Sequence, residues 1–188
     1  MKVNTKQIVG IGLFTAIVVV LQLLGGSIRF GVFSISLVLL PIVVGSAVYG
    51  WRAGAWLGLA FGITVLLSGD ASAFLVVDPL ATIAVVLIKG TACGFCSGLI
   101  YSLLSSKSQL FAVIFAAIIC PIVNTGVFLL GCQLFFLETI AGWAEAAGFD
   151  AVGSYMVFGL TGVNFLIELG VNILLAPIIT RIIHLGKK

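Results

Sequence analysis

Charge is what this sequence has least of. Nine of its 188 residues are Lys or Arg, six are Asp or Glu and one is His. Charged side chains therefore make up 8% of the chain, against about 25% in an ordinary soluble domain. So few ionisable groups cannot coat a water-exposed surface, which excludes a soluble globular protein, a nucleic-acid binder and a disordered chain. With His184 as the one histidine there is no basis for a metal cluster and no Ser-His pair inside the apolar stretches. No phosphate-binding loop is present either. Three of the four cysteines (Cys93, Cys96, Cys120 and Cys132) lie inside apolar stretches, which gives no disulfide framework. Cys93 and Cys96 match C-x-x-C, but they sit in mid-stretch with no second pair in an outer loop to relay electrons. Small side chains lining a helix face describe them better than thiol chemistry. From these absences the chain is expected to be no enzyme, to hold no cofactor or metal, and not to hydrolyse ATP by itself.

What the sequence has is apolar length. Hydrophobic residues make up 62% and the mean hydropathy is +1.35. A bilayer-spanning helix needs about 20 apolar residues. Apolar runs read against polar breaks predict six spans, at about 7–24, 34–50, 53–68, 79–104, 109–131 and 154–183. The expected fold is all-α: a polytopic six-transmembrane-helix bundle forming one integral membrane domain over 1–188. The run from Ile8 to Leu24 is longer than a signal-peptide core and lacks an A-x-A site, so it reads as the first span. Spans two and three are short enough to read as one bent hairpin.

The few charges sort by side. With six spans, one face carries Lys2, Lys6, Arg52, Lys107, Arg181, Lys187 and Lys188 and no acid. The other carries Arg29 against Asp70, Asp78, Glu138, Glu145 and Asp150. The positive-inside rule then puts both termini in the cytoplasm. That leaves Lys89 and Glu168 within spans, where ionisable groups are costly and usually mark a site or pathway.

Lys89 lies about ten residues into span four, roughly 15 Å from its outer end at 1.5 Å per residue. Thr82, Lys89, Cys93 and Cys96 fall on one helical face. On span six, Thr161, Asn164, Glu168 and Asn172 recur on one face, and span five contributes Asn124 and Thr125. These polar stripes converge at overlapping depths in the outer half, as a cavity open to the outside would require. Three readings compete: a structural Lys89–Glu168 pair with interhelical amide bonds, a site for a polar small molecule, and an ion or proton path. Several amides plus one charge of each sign suit a ligand with donors and acceptors better than a bare ion. Two glycine stripes, Gly54, Gly58 and Gly62 on span three and Gly90, Gly94 and Gly98 on span four, predict close helix packing. Gly12 and Ala16 on span one form a further small-xxx-small pair, beside Gly10, which packs internally or receives another membrane protein.

Three stretches carry a resemblance. They are Ser27 to Gly45 (SIRFGVFSISLVLLPIVVG) running on into Tyr49 to Gly58 (YGWRAGAWLG), the motif Gly12 to Ala16 (GLFTA), and the pair CPIVNTG from Cys120 and GVNFLIE from Gly162. Together they resemble the substrate-binding S component of an energy-coupling factor (ECF) vitamin transporter, over nearly the whole chain. The resemblance implies a six-helix subunit in a prokaryotic plasma membrane that binds a water-soluble vitamin at its outer face. Its implied partners are a transmembrane coupling subunit and two cytoplasmic ABC ATPases. It implies ligand contacts from Lys89, Asn124, Asn164 and Glu168, with Arg29 and Phe30 in the first outer loop, and a coupling-subunit contact through Gly12 and Ala16. Alanine is more usual in the family where Gly12 stands. The implied mechanism is toppling, in which the loaded subunit rotates in the membrane to deliver its ligand inside.

Pairing of a ligand carboxylate with Lys89 favours pantothenate. The aromatic residues Phe74, Phe128, Phe135, Phe136, Trp143 and Tyr155 keep riboflavin or a folate as alternatives. The competing reading is an autonomous ion-coupled secondary transporter of a small polar solute, motivated by Lys89 and Glu168; a structural or assembly membrane protein is a third.

Overall fold

The computed structural model describes residues 5–25, 29–30, 33–34 and 37–186. In chain order its elements are α1 (Thr5–Gly25), a two-residue antiparallel pair β1 (Arg29–Phe30) and β2 (Phe33–Ser34), α2 (Leu39–Tyr49), α3 (Trp51–Ser68) and α4 (Ser72–Leu75). They are followed by α5 (Pro79–Leu104), α6 (Gln109–Phe135), α7 (Leu137–Ala146), α8 (Val152–Ser154), a π-helical segment (Tyr155–Gly162) and α9 (Val163–Gly186). Five helices are long and apolar enough to cross a membrane: α1, α3, α5, α6 and, over Asn164–Arg181, α9.

The second expected span, 34–50, is the one that differs. Its helix has only 11 residues, about 16 Å at 1.5 Å per residue and half of a hydrocarbon core. The reason is local. The helix begins at Leu39, not Ser34, with Pro41 in its first turn, where a residue without an N–H costs least. At the other end Gly50 adopts φ 90°, a backbone open to glycine, and separates α2 from α3. Most of α2 is buried, Leu39 and Pro41 to Ala47 included. It is a half-length core helix among the long ones.

Side-chain contacts fix the direction of each helix. α1 and α3 run parallel, since the Trp56 indole N–H donates to Thr15 Oγ1 at 3.1 Å and Gln22 reaches Asp70 just beyond α3. α2 runs against α1: Gly10 lies under Tyr49, and Gly45 lies near Phe14. α3 and α5 are antiparallel and touch backbone to backbone. A Cβ at Gly54 or Gly58 would strike the carbonyl oxygen of Gly94 or Gly90, and one at Gly62 would lie 2.9 Å from Val86 O. The two glycine stripes thus face each other, the packing expected of them. α5 and α6 are antiparallel too, through Ser97 Oγ donating to Ala116 O at 3.2 Å and Gly131 against Val85. α1, α3 and α6 therefore run one way through the bundle, and α2 and α5 the other.

The core has two parts. A large cluster around Val18, Ile42, Leu57, Val86, Ala116 and Ile179 runs along the bundle. A smaller one joins Phe74, Cys132, Phe136, Ile140, Tyr155 and Leu160 at the end reached by the α3–α5 connection. Helix α7 covers that end, burying Ile140 and Ala144 while Glu138 and Glu145 stay exposed. Phe74 sits at its centre, edge-on to Phe128, Phe136 and Trp143 with centroids 5.1–5.6 Å apart, geometry that aromatic quadrupoles favour.

A candidate ligand cavity

Between the large cluster and the aromatic one the structure encloses a cavity of about 120 Å³. At roughly 10–15 Å³ per water-sized group, that is room for on the order of ten such groups. This is the scale of a small organic molecule and not of a bare ion. The walls come from α1, α3 and its turn to α4, α5, α6 and the π-helical entry to α9.

Helix α5 brings Lys89 and Thr82. It starts sharply because Asp78 caps it, Oδ1 accepting from Ala81 N at 3.0 Å, with Pro79 at the first helical position. About three turns on, the half-buried Lys89 ammonium lies 5.1 Å from the Phe128 ring centre and 5.9 Å from that of Phe61, within cation–π range. The carboxylates of Glu168 and Asp70 line the same cavity. Helix α6 brings Asn124 and Thr125. Asn124 is 8% exposed, and its Oδ1 has no hydrogen-bond partner in the protein. A buried acceptor left unpaired costs about 1–3 kcal/mol, so this oxygen wants a donor in the cavity.

The π-helical segment brings Leu160 and Thr161, whose Oγ1 donates back to Met156 O at 3.3 Å and Val157 O at 3.0 Å. Such wide turns are rare and cluster at functional sites. α9 follows with Asn164, Phe165 and the buried Glu168.

Four of the six residues expected to meet a ligand, Lys89, Asn124, Asn164 and Glu168, thus line one cavity. Arg29 and Phe30 form β1, but their side chains lie outside the described residues. Asn172, on the same expected stripe, is buried with an unpartnered Oδ1 and does not reach the cavity; it lies one turn deeper than Glu168. Cys93 and Cys96 are not in the wall, whereas Cys132 is. Of the aromatic candidates, Phe74, Phe128 and Phe136 line it. Trp143 backs Phe74 from outside, Phe135 faces outward, and Tyr155 packs on Phe149. Gly12 and Ala16 are exposed on the outer side of α1, and nothing lies within 4 Å of a Cβ placed at Gly12.

Two polar wall residues, Gln22 and Asp70, were not among the expected site residues. Gln22 is 3% exposed and donates through Nε2 to Asp70 Oδ2 at 2.6 Å; the same oxygen accepts from Ser68 Oγ at 3.1 Å. The available signal was a lone amide in the otherwise apolar second half of α1. Among the described residues no group of three His, Cys, Asp or Glu side chains is arranged to hold a metal ion.

The comparisons with curated proteins and with solved structures gave no match. The family profile described as "ECF transporter, substrate-specific component" matches residues 6–180. A match over almost the entire chain, on a bundle of apolar helices around a cavity with charged and amide groups in its wall, places this protein in that family: it is a substrate-specific component of an ECF transporter.

Proposed function

We propose that this substrate-specific subunit captures a water-soluble vitamin in the cavity between α1, α3, α5, α6 and α9, with pantothenate the favoured ligand and riboflavin or a folate the alternatives. The observation that carries the reading is the donor and acceptor pattern of the wall. Lys89 offers a cation to a carboxylate, and the unpartnered Asn124 Oδ1 offers an acceptor to a hydroxyl or amide. Phe74, Phe128 and Phe136 offer apolar surface between them. Pantothenate carries a carboxylate, an amide and hydroxyl groups on a short aliphatic frame, which matches that pattern of donors and acceptors.

As a transporter subunit the protein is membrane-integral and not an enzyme. Its family implies work with an ECF coupling module and ATPases. The ion-coupled alternative raised by Lys89 and Glu168 gives way to this assignment. In our reading the cavity faces outward and both termini lie in the cytoplasm. The sorted charges support this orientation: Lys6, Arg52, Lys107 and Arg181 fall at the end away from the cavity, and Asp70, Asp78, Glu138, Glu145 and Asp150 at the cavity end. The open Gly12–Ala16 face is the surface we assign to the coupling subunit.

Calorimetric titration of the purified protein with pantothenate, riboflavin and folate tests the function. One of them is expected to bind at nanomolar to micromolar concentration; binding by none would contradict the reading. Asn124→Ala should weaken that binding by about 1–3 kcal/mol, because the ligand donor loses its buried acceptor. Thermal unfolding of the empty variant should change far less, since Asn124 Oδ1 makes no bond within the protein. Equal losses in both measurements would assign Asn124 to packing.

A further inference from the structure

Helix α1 is weakly held for a helix of its length. Of its described residues only Val18 and Gln22 are buried, while most others face outward. Its first half is seated by Gly10 and Phe14 against Tyr49, and by Thr15 under Trp56. Its second half rests on Val18 and Leu21 in the large core cluster and on the Gln22–Asp70 hydrogen bond. That bond is unlike the others because both of its partners are walls of the cavity. Asp70 is itself fixed: it follows Gly69, which ends α3 with φ 83°, and Ser68 donates to the same carboxylate oxygen. The helix that offers Gly12 and Ala16 outward is therefore tied, at its other end, to a carboxylate in the ligand chamber.

We propose that the Gln22–Asp70 bond is a ligand-responsive tie, and that Gln22 is a positioning residue through which occupancy of the cavity sets the seating of α1. The proposal rests on the function assigned above. The physical route is short. An empty chamber with charged and amide groups in its wall admits water to the bond, and water competes for the amide and the carboxylate. A ligand that fills the chamber excludes that water, and a hydrogen bond to a charged group strengthens as its surroundings become less polar. The stronger bond holds α1 against the bundle, so the face bearing Gly12 and Ala16 is presented in a fixed position only when the chamber is loaded. Linkage makes the effect reciprocal: whatever fixes α1 from outside also tightens the hold on the ligand.

Amide hydrogen exchange across residues 13–25, measured with and without saturating pantothenate, riboflavin or folate, tests this. The binding vitamin is expected to slow exchange several-fold in the unmodified protein. Gln22→Met keeps the length of the side chain and removes the donor. It should still bind the vitamin, weakened less than about tenfold, and lose the ligand-dependent protection of α1. Asp70→Asn keeps an acceptor for the Gln22 amide and should retain part of that protection, which guards against a folding defect in the first variant. Equal ligand-dependent protection in Gln22→Met and unmodified protein would overturn the tie and leave the vitamin-binding function standing. Binding of none of the three vitamins to unmodified protein would overturn the function, and the tie with it.

Discussion

Gly58→Leu is expected to abolish recovery of folded protein. A side chain at Gly58 runs into the carbonyl oxygen of Gly90, and one at Gly90 into that of Gly58. The obstacle on each side is helix backbone, which cannot rotate away as a flexible side chain can. Overpacking of a core usually costs about 1–3 kcal/mol, and more where the backbone must move. Here α3 and α5 would have to separate along their whole shared face, because Gly54–Gly94 and Gly62–Val86 meet in the same way. A loss well above 3 kcal/mol is expected, against the 5–15 kcal/mol that a typical domain has in total. Gel filtration in mild detergent reads it as loss of the monodisperse peak. Gly12→Leu is the matched control: the same substitution at a glycine with nothing within 4 Å. It should give a normal peak and normal vitamin binding, and impair uptake when the coupling subunit and ATPases are present. A folded, monodisperse Gly58→Leu protein would contradict the packing described for α3 and α5.

The second large effect concerns Lys89 and Glu168. Lys89→Met removes the ammonium that lies between Phe61 and Phe128, in the cavity wall that it shares with Glu168. Breaking a buried charge pair from one side costs about 3–5 kcal/mol, while replacing both members by apolar groups of similar volume is often neutral. The paired change Lys89→Met with Glu168→Leu should therefore restore much of the thermal stability lost in Lys89→Met. It should not restore the ligand. If Lys89 meets a ligand carboxylate, affinity falls by about 2–5 kcal/mol in both variants, roughly 30-fold to several thousandfold. A double variant that regains stability and affinity together would make the two residues a packing pair and remove them from the site.

The sequence carried the long helices well because their ends are written in local chemistry. The expected span 79–104 is helix α5, opened by an Asp-Pro cap, and the expected 109–131 lies within α6, begun after Ser108. Span two was legible as apolar but not as short. Its length turns on the start at Leu39 and the break at Gly50, neither of which hydropathy registers. The polar stripes were legible because helical periodicity alone puts Thr161, Asn164 and Glu168 on one face. Which stripe members share a chamber depends on depth and neighbours, and so Asn172 falls below it. Gln22 and Asp70 meet across 48 residues. Nothing in the periodicity of α1 or in the turn after α3 indicates that pairing; it follows from the parallel packing of α1 on α3. The aromatic cap is similar. Phe74 comes from α4, Phe128 from α6 and Phe136 from the junction of α6 and α7, and only the fold brings their edges and faces together.

Native mass spectrometry of the gently purified protein tests the central claim most directly, since it looks for the ligand without presuming its identity. The account predicts a 1:1 adduct with the mass of a water-soluble vitamin, pantothenate first among them. That adduct should be lost from the Lys89→Met, Glu168→Leu double variant. Protein that carries no such adduct, and takes up none from an added panel of vitamins, would contradict it.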